Sequence, residues 1–299
     1  MIIGRYEIER ELGRGGMAVA YLAQDPYMKR EVVVKLMSAH LTADPEFTQR
    51  FQQEAQVIAA LEHPYIVPVY DFGYHENQPF IVMRYMPGGT MAYQIEKHRV
   101  YTTAEAAREM ERICQALDAV HARGIIHRDL KPANVLLDQQ GDPFLADFGL
   151  VKIAGASGKL SGQFMVGTPA YMAPEQVYGN NPVDLRVDIY ALGIMLYEMF
   201  TGRPPYWDTE ISRLLMKHVM EPVPHVRDAR SDLPQSIDDL IATAMAKDPK
   251  MRFQSAGAFS EALNAATSGV PSRRARRRLT SDQMDSLLNS LDGDEKPEH

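Results

Sequence analysis

The segment from Ile125 to Asn134 constrains this chain more than any other, because it crowds charged and amide side chains between two apolar runs. It reads Ile-Ile-His-Arg-Asp-Leu-Lys-Pro-Ala-Asn. Pro132 fixes its own φ and lacks an N–H donor, so the segment is neither a helix interior nor a central strand. Its polar side chains must therefore face a ligand, or one another in a solvated turn with local salt bridges. Taken alone, the segment leaves both interpretations open.

A second motif downstream favours the ligand. Asp147-Phe148-Gly149 follows, and together the two segments match H-R-D-x-x-x-x-N and D-F-G, the signature pair of protein kinases. Lys35, Glu54 and Ala173-Pro174-Glu175 occur in the order that the same pattern requires. The chain resembles the bacterial-type, eukaryotic-like serine/threonine protein kinase family from about residue 6 to residue 267.

Composition excludes several other classes of protein. The chain has 299 residues, of which 45% are apolar and 24% charged, as in an ordinary globular protein. Its net charge of −7 makes nucleic-acid binding an unfavourable expectation. One cysteine excludes an internal disulfide and fits a reducing compartment. No apolar run approaches the ~20 residues of a membrane span, and the N-terminus does not read as a signal peptide. We therefore expect a cytoplasmic protein without a transmembrane segment.

The first part of the chain reads as strands with one helix. Period-two alternation and β-branched residues predict strands at 6–12, 19–23, 31–37, 67–72 and 80–85. Phe47, Phe51, Ile58 and Leu61 recur at helical spacing, and Glu54 shares their face. The glycines at 13–16 make a hairpin that could lay N–H groups over phosphates, although a plain turn fits equally well. Lys35 in its apolar strand either extends to solvent or binds a ligand.

The second part reads as helices. Thr102 to Glu105 forms a capping box, and Ser236 to Asp239 opens another capped helix. A last helix is predicted from Ser255 to about Ala266. The runs 135–137 and 143–145 read as a short hairpin that carries Asp147 at its exit. The apolar run 189–200 predicts a fully buried helix that ends at Gly202, with Asp188 placed to cap its start.

The resemblance implies an α+β, protein-kinase-like bilobal fold. A small β-rich N-lobe would cover about residues 1–86 and a larger α-helical C-lobe about 87–267, with the nucleotide between them. Residues 268–299 form a charged tail with an arginine run. In this tail Met284, Leu287, Leu288 and Leu291 fall at helical spacing, so it is either a solvated linker or a short amphipathic helix that docks on the body or on a partner.

The resemblance also implies ATP and Mg²⁺ as cofactors and protein Ser/Thr hydroxyls as acceptors. Asp129 would orient the acceptor and take its proton, Lys131 would neutralise the transferred group, and Lys35 would bind phosphate while paired with Glu54. Asn134 and Asp147 would hold the metal. The residues implied in ATP binding are Leu12, Gly13, Gly15, Gly16, Ala20, Val33, Lys35, Met83, Arg84, Tyr85, Met86 and Leu136. Three residues depart from the family pattern: Ala18, Ala20 and Val33 replace glycine, valine and alanine, and each bears on nucleotide affinity.

Regulatory and supporting roles are implied in the same way. Arg128 would bind a phosphorylated activation segment, Ser161 is the expected phosphosite, and Thr168 is expected to contact Asp129 and the substrate. The residues expected to support the structure are His127, Asp188 and the pair Glu175–Arg252. A transient homodimer would allow autophosphorylation.

Two alternative functions remain at this point. The departures at Ala18, Ala20 and Val33 would suit a pseudokinase that acts as a scaffold or as a nucleotide-gated binding module. A small-molecule kinase sharing the fold is disfavoured, because the long segment leading to Ala173-Pro174-Glu175 suits peptide substrates.

Overall fold

The computed structural model describes residues 1–39, 45–97, 100–148, 168–178 and 183–268. The chain divides into two compact units. The first comprises Met1–Thr90, Gln115–Leu130 and Asn134–Thr168, and the second comprises Met91–Cys114, Lys131–Ala133 and the chain from Pro169 onward. The lobe boundary expected near residue 86 stays a prediction. Ser161 and the expected tail helix lie outside the described residues.

The first unit is built on a six-stranded antiparallel sheet with the order β1-β2-β3-β4-β6-β5. Its strands are β1 (Ile2–Ile3), β2 (Tyr6–Arg14), β3 (Ala18–Asp25), β4 (Arg30–Met37), β5 (Val69–His75) and β6 (Gln78–Arg84). Helix α1 (Pro45–Ala59) connects β4 to β5, and the hairpin of β7 (Val135–Leu137) and β8 (Pro143–Leu145) belongs to the same unit. The predicted strands and the predicted hairpin are confirmed within a few residues.

A contact between β2 and β5 shows that this sheet is curled. The Tyr6 hydroxyl donates to Asp71 Oδ2 at 2.7 Å, and Arg5 lies 3.1 Å from the same oxygen. Three strands separate β2 from β5 in the sheet order, so the two can meet only if the sheet bends round. Burial, together with the Asp71 carboxylate, raises the pKa of Tyr6. Sequence pattern gave no indication of this closure.

The hairpin between β2 and β3 is tighter than predicted. β2 continues to Arg14 and β3 begins at Ala18, so that Gly13 lies in a strand, at a register shift after Glu11. A bulge places an extra residue in one strand and increases its twist, which explains why a glycine is tolerated there. The turn closes with a hydrogen bond from the Gly15 N–H to the Ala18 carbonyl at 2.9 Å.

Helices make up most of the second unit. They are α2 (Met91–Glu96), the first part of α3 (Thr103–His121), α4 (Pro174–Tyr178), α5 (Arg186–Thr201), α6 (Ile211–Met220), α7 (Val226–Ala229), α8 (Gln235–Ala244) and α9 (Ala256–Thr267). The predicted capping box is present: the Thr102 N–H donates to Glu105 Oε2 at 3.0 Å, and the Glu105 N–H donates to Thr102 Oγ1 at 3.2 Å. The α5 helix is almost wholly buried and ends at Gly202, whose φ of 84° lies in the left-handed region that favours glycine. A sheet in one unit and helices in the other make the chain α+β, as predicted.

Two predicted helix caps were wrong. Helix α5 begins at Arg186 after Leu185, which makes no side-chain cap, so Asp188 lies inside the first turn rather than at its start. Helix α8 begins at Gln235, directly after Pro234, so Ser236 is already helical. The Asp238 carboxylate instead accepts a hydrogen bond from the Val226 N–H at 2.8 Å. Both errors are register errors at helix starts, which propensity alone does not fix.

His218 in α6 makes the second unit sensitive to acid. Its ring is fully buried, its Nδ1 lies 3.0 Å from the Tyr190 hydroxyl, and Lys247 Nζ donates to its carbonyl at 2.7 Å. Burial, with a smaller contribution from Lys247, lowers the pKa of His218 to about 3. The unfolded chain therefore binds the proton first, and stability is lost as pH falls below about 6.5 toward 3.

We predict that a His218→Gln variant loses less stability on acidification than the wild type does. At pH 5.5 the wild type should have lost about 1.4 kcal/mol through this histidine relative to neutral pH. Urea unfolding at pH 7.5 and 5.5 measures the difference. A His225→Gln variant is the control: Asp238 raises the pKa of His225, so removing that group must not reduce the acid loss. Equal acid losses in wild type and His218→Gln would contradict the prediction.

Candidate active site

The loop after α3 is anchored by a buried histidine. His127 is 0% exposed, and its Nε2 lies 3.0 Å from the carbonyl oxygen of Ala146. Its ring centroid is 4.9 Å from that of Phe148. The Asp129 N–H points back to His127 Nδ1 at 3.4 Å. These contacts are those of a supporting residue and leave the ring no open face for a substrate proton.

Asp129 is held from two sides. Its Oδ2 accepts a hydrogen bond from Asn134 Nδ2 at 3.1 Å, and the same amide donates to the Asp129 carbonyl at 2.7 Å. Its Oδ1 accepts from the Thr168 N–H at 3.1 Å and from the Thr168 hydroxyl at 3.0 Å. The expected contact between Thr168 and Asp129 is therefore present. A carboxylate fixed in this way is a positioned acceptor for a further hydroxyl.

Lys35 meets Asp147 in the same unit. Its Nζ lies 2.7 Å from Asp147 Oδ2, and the two side chains are 21% and 24% exposed. Ala146, the residue before Asp147, connects this ion pair to the loop that ends at Asn134, because the Ala146 N–H donates to the Asn134 carbonyl at 2.9 Å. Lys35, Asp147, Asn134 and Asp129 thus form one connected set. Glu54 lies half-buried on α1, and its pairing with Lys35 stays a prediction.

Asp147 in this set and Arg128, which precedes Asp129, have unusual backbone conformations. Arg128 has a φ of 66° and Asp147 a φ of 64°, both in the left-handed region that side chains other than glycine rarely adopt. Such conformations persist only where the surrounding structure imposes them, and they concentrate at functional sites. Here the His127 and Ala146 contacts supply that constraint.

The residues expected around adenine form part of one apolar cluster in the first unit. Val33 pairs with Met83 across β4 and β6. The cluster members that were expected to bind ATP are Ala20, Val33, Met83, Tyr85, Met86 and Leu136. The Arg84 N–H already donates to the Pro68 carbonyl at 3.0 Å, so an adenine donor is better sought at Tyr85 or Met86. Leu12 lies on the exposed face of β2, 37% accessible.

The segment after β6 is hydrogen-bonded to β7. The Gly88 N–H donates to the Leu137 carbonyl, and the Leu137 N–H donates to the Gly89 carbonyl, both at 2.9 Å. Thr90 adds a bridge to Leu136. A Cβ on Gly88 would fall 2.7 Å from the Leu137 oxygen and would also clash with the Asp138 carbonyl. The sequence pattern indicates that the strand ends here, but it does not predict the hydrogen bonds between this segment and β7.

We predict that Gly88→Ala destabilises the protein by roughly 2–3 kcal/mol, because backbone atoms cannot move aside without breaking these hydrogen bonds. The midpoint of urea unfolding measures the effect. Gly16→Ala is the matched control, since a Cβ there meets nothing within 4 Å. Equal midpoints for the two variants would show that the segment adapts.

Glu175 and Arg252 form the pair that the resemblance implied. Arg252 Nη1 and Nη2 donate to the two carboxylate oxygens at 2.7 and 2.8 Å, and the side chains are 0% and 8% exposed. Arg252 also donates to the carbonyls of Ala246 and Arg186.

Two further residues implied by the resemblance lie in the second unit. Asp188 is buried in α5, and Lys131 belongs to the same unit.

Glu198 is a residue that the sequence analysis missed. It lies in the otherwise apolar second half of α5, and the Tyr171 hydroxyl donates to its Oε2 at 2.6 Å. A single acid within the apolar run 189–200 was the available signal.

The donor set suits magnesium in particular. Asn134 and Asp147 supply one amide and one carboxylate oxygen, and Mg²⁺ prefers few protein carboxylates completed by phosphate oxygens. Among the described residues, no group of three or more His, Cys, Asp or Glu could hold a metal alone.

In the part of the chain that the structure describes, no helix is long and apolar enough to cross a membrane.

Comparison with known proteins agrees with this geometry. The family model for the protein kinase domain matches residues 6–265. The serine/threonine-protein kinase PknH of Mycobacterium tuberculosis is 36% identical over 286 residues, which cover 96% of this chain and 46% of that protein. PknD of the same organism is 39% identical over 264 residues, covering 88% of this chain and 40% of that protein. The chain thus spans less than half the length of these curated relatives.

A solved structure extends the agreement to the fold. The crystal structure of the Mycobacterium tuberculosis PknI kinase domain, C20A mutant, matches with a TM-score of 0.72 and 33% identity, over 89% of this chain and 97% of that one. The expected protein-kinase-like α+β fold is therefore confirmed. The chain belongs to the protein kinase domain family, in its bacterial, eukaryotic-like serine/threonine branch.

Proposed function

We propose that the chain is an ATP- and Mg²⁺-dependent serine/threonine protein kinase that transfers the γ-phosphoryl group to hydroxyls of proteins, itself included. One observation carries this proposal: hydrogen bonds and an ion pair connect Asp129, Asn134, Asp147 and Lys35 within one unit. Phosphoryl transfer needs positioning and charge neutralisation more than covalent chemistry, and this set supplies both.

Each residue has a chemical task in this proposal. Asp129 orients the acceptor hydroxyl and takes its proton, while Thr168 and Asn134 hold the carboxylate in place. Asn134 and Asp147 would bind Mg²⁺, which neutralises phosphate charge when bound. Lys35 would contact a phosphate oxygen in addition to Asp147. Lys131 would neutralise the transferred group, a role that rests on the family resemblance.

The apolar cluster supports adenine binding. Val33 and Met83 present a dry surface to a flat ring, and Leu136 lies partly buried against the same cluster. Gly13 near the end of β2 and Gly15 and Gly16 in the β2–β3 turn carry no Cβ, so the N–H groups of this hairpin could approach phosphate. Arg128 would bind a phosphorylated residue such as Ser161 bidentately, and autophosphorylation would proceed through a transient homodimer.

The test is transfer of labelled phosphate from ATP. The chain is incubated with γ-labelled ATP and Mg²⁺, with and without EDTA, in the presence of a peptide mixture containing Ser and Thr acceptors. Label on peptide Ser or Thr that disappears with EDTA supports the proposal. Nucleotide binding that raises the melting temperature without any transfer would instead identify a pseudokinase scaffold. Label found only on small molecules would identify a small-molecule kinase.

A Lys35→Met variant should lose at least about 10²-fold in kcat, because it removes a positive charge from the site of developing negative charge. Initial rates of peptide phosphorylation at saturating ATP measure the loss. Lys250→Met, which removes an exposed lysine of the second unit, is the control and should keep full activity. Intact turnover in Lys35→Met would remove Lys35 from the proposed mechanism.

A further inference from the structure

Helix α6 and the residues just before it expose several large apolar side chains. Met216 and Met220 lie one turn apart on the helix and are 53% and 72% exposed. Trp207, four residues before the helix starts, is 68% exposed, and Ile211 at its start is 51% exposed. Single apolar residues are normal on a protein surface, but a group that includes methionine and tryptophan is typical of a surface that another segment covers.

The two methionines line a groove of about 390 Å³ in the second unit. They form an apolar row, because residues four apart lie on the same face of a helix. Arg213 and Lys217 line the same groove with the same spacing and form a basic row beside the apolar one. The two acids in the lining flank the helix at its ends: Asp208 and Glu221.

The opposite side of α6 is fixed to the second unit. Leu214 and His218 are buried, and the helix contacts α4 and the turn Pro169–Tyr171. The Tyr206 hydroxyl donates to the carbonyl of Glu221, the residue after the helix, at 3.1 Å. The groove is thus preformed, which lowers the entropic cost of binding a segment there.

The chain after Ser268 contains an apolar stripe that matches this groove. Its members fall at i, i+3, i+4 and i+7, the pattern of one helix face, and we call them the tail stripe: Met284, Leu287, Leu288 and Leu291. They lie outside the described residues. Amphipathic helices commonly bind apolar grooves through anchors with this spacing.

The charges around the tail stripe complement those of the groove. Residues 280–295 contain five acids and no lysine or arginine. Asp285 and Asp292 directly follow the first and last members of the stripe, so on a helix both would flank it on the same side. A second copy of the chain fits less well, because a symmetric contact through α6 would oppose two basic rows.

The connection is long enough for docking within one chain. Residues 269–283 join the end of α9 to the tail stripe. Fifteen residues span up to ~50 Å when extended. A compact unit of the size of the second unit is ~40 Å across. The tail stripe can therefore reach α6 of the same chain.

We propose that residues 284–291 form a helix that docks into the α6 groove of the same chain. The tail stripe covers Met216 and Met220, and the flanking acids of the tail face the basic row. Arg213 and Lys217 are already paired with exposed acids at 3.0 and 3.5 Å, and such surface pairs exchange partners at little cost. A tethered segment acts at an effective concentration of about 1 mM, so an intrinsic Kd of ~100 µM would keep about 90% of the tail docked. This inference does not depend on the proposed kinase activity.

Amide hydrogen exchange of residues 284–291 in the full chain tests the docking from the tail side. Exchange in the wild type should be about 10-fold slower than in a Leu287→Asp/Leu288→Asp variant, because only the undocked tenth of the molecules exchanges. Ser286→Asp/Asn289→Asp adds the same charges on the opposite side of the predicted helix and should keep the protection. A tail that exchanges equally fast in the wild type and in Leu287→Asp/Leu288→Asp would overturn the proposal.

A Met216→Asp variant tests the groove without altering the tail. It should abolish the protection of residues 284–291 and increase acrylamide quenching of Trp207, the one tryptophan of the chain. Met251→Asp, at a methionine of the second unit that is 68% exposed, is the control and should leave the protection intact. Tail protection that persists in Met216→Asp would place the tail elsewhere and overturn the proposal.

A charge exchange tests the orientation of the tail, and dilution tests the identity of the occupant. Arg213→Glu/Lys217→Glu should weaken the protection, and adding Asp285→Arg/Asp292→Arg should restore it. Protection should stay constant over a roughly tenfold range of protein concentration, since docking within one chain does not depend on concentration. Protection that increases with concentration, together with a dimer mass in light scattering, would assign the groove to a second copy and overturn the proposal.

Discussion

An Asp129→Asn variant is expected to transfer phosphate about 10³-fold more slowly than the wild type while remaining folded. The amide matches the carboxylate in shape, so it can still accept the Thr168 N–H through its oxygen. It cannot take a proton from an acceptor hydroxyl, and it removes a negative charge that orients that hydroxyl. The loss should therefore appear in kcat and only weakly in the KM for ATP.

Single-turnover transfer to a Ser or Thr peptide at saturating ATP measures this loss. Asp228→Asn makes the same chemical change at an exposed position in α7 and should leave the rate unaltered. Urea unfolding of both variants shows whether the fold is intact. A rate within a factor of a few of wild type, in a folded Asp129→Asn protein, would mean that another group accepts the proton.

An Arg252→Leu variant is expected to lose about 3–5 kcal/mol of stability. Its guanidinium is fully buried and donates to both oxygens of Glu175, so its removal leaves a buried carboxylate without its partner. The desolvation cost of that carboxylate was already present in the wild type, where the paired charge offset it. The Ala246 and Arg186 carbonyls also lose a donor, which adds to the loss.

The double variant Glu175→Leu/Arg252→Leu separates the pair from the packing. It should be more stable than Arg252→Leu alone, because no unpaired charge remains buried. Arg213→Leu, which removes an exposed arginine paired with Glu210 at 3.0 Å, is the surface control and should change stability by less than about 1 kcal/mol. A double variant as unstable as the sum of the single ones would show that Arg252 acts through its carbonyl contacts instead.

The sequence allowed prediction of those parts of the site that lie in one short stretch or follow a strong period. The segment from Ile125 to Asn134 could be recognised because a proline and several charges stand between apolar runs. The short hairpin before Asp147 and the end of α5 at Gly202 could be predicted from local chemistry alone. The capping box at Thr102 belongs to the same class, since both partners lie within one turn.

Tertiary partners could not be predicted in this way. The closure of the sheet through Tyr6 and Asp71 joins residues far apart in the chain, and neither shows a distinctive pattern. Asp147 as a partner of Lys35 depends on how the hairpin lies against β4, which no local rule fixes. The fixed segment at Gly88 and the Tyr171–Glu198 bond depend likewise on atoms that long-range packing brings together.

The left-handed backbones at Arg128 and Asp147 have a consequence for engineering. Each conformation costs of order 1–3 kcal/mol, and glycine or asparagine would relieve much of it. A library screened for heat resistance alone would accordingly enrich small or amide residues at these two positions. The selected variants would be more stable to heat, but they would lack the carboxylate proposed to bind metal at Asp147 and the guanidinium proposed to bind phosphate at Arg128. Thermal stability and turnover would therefore have to be screened together.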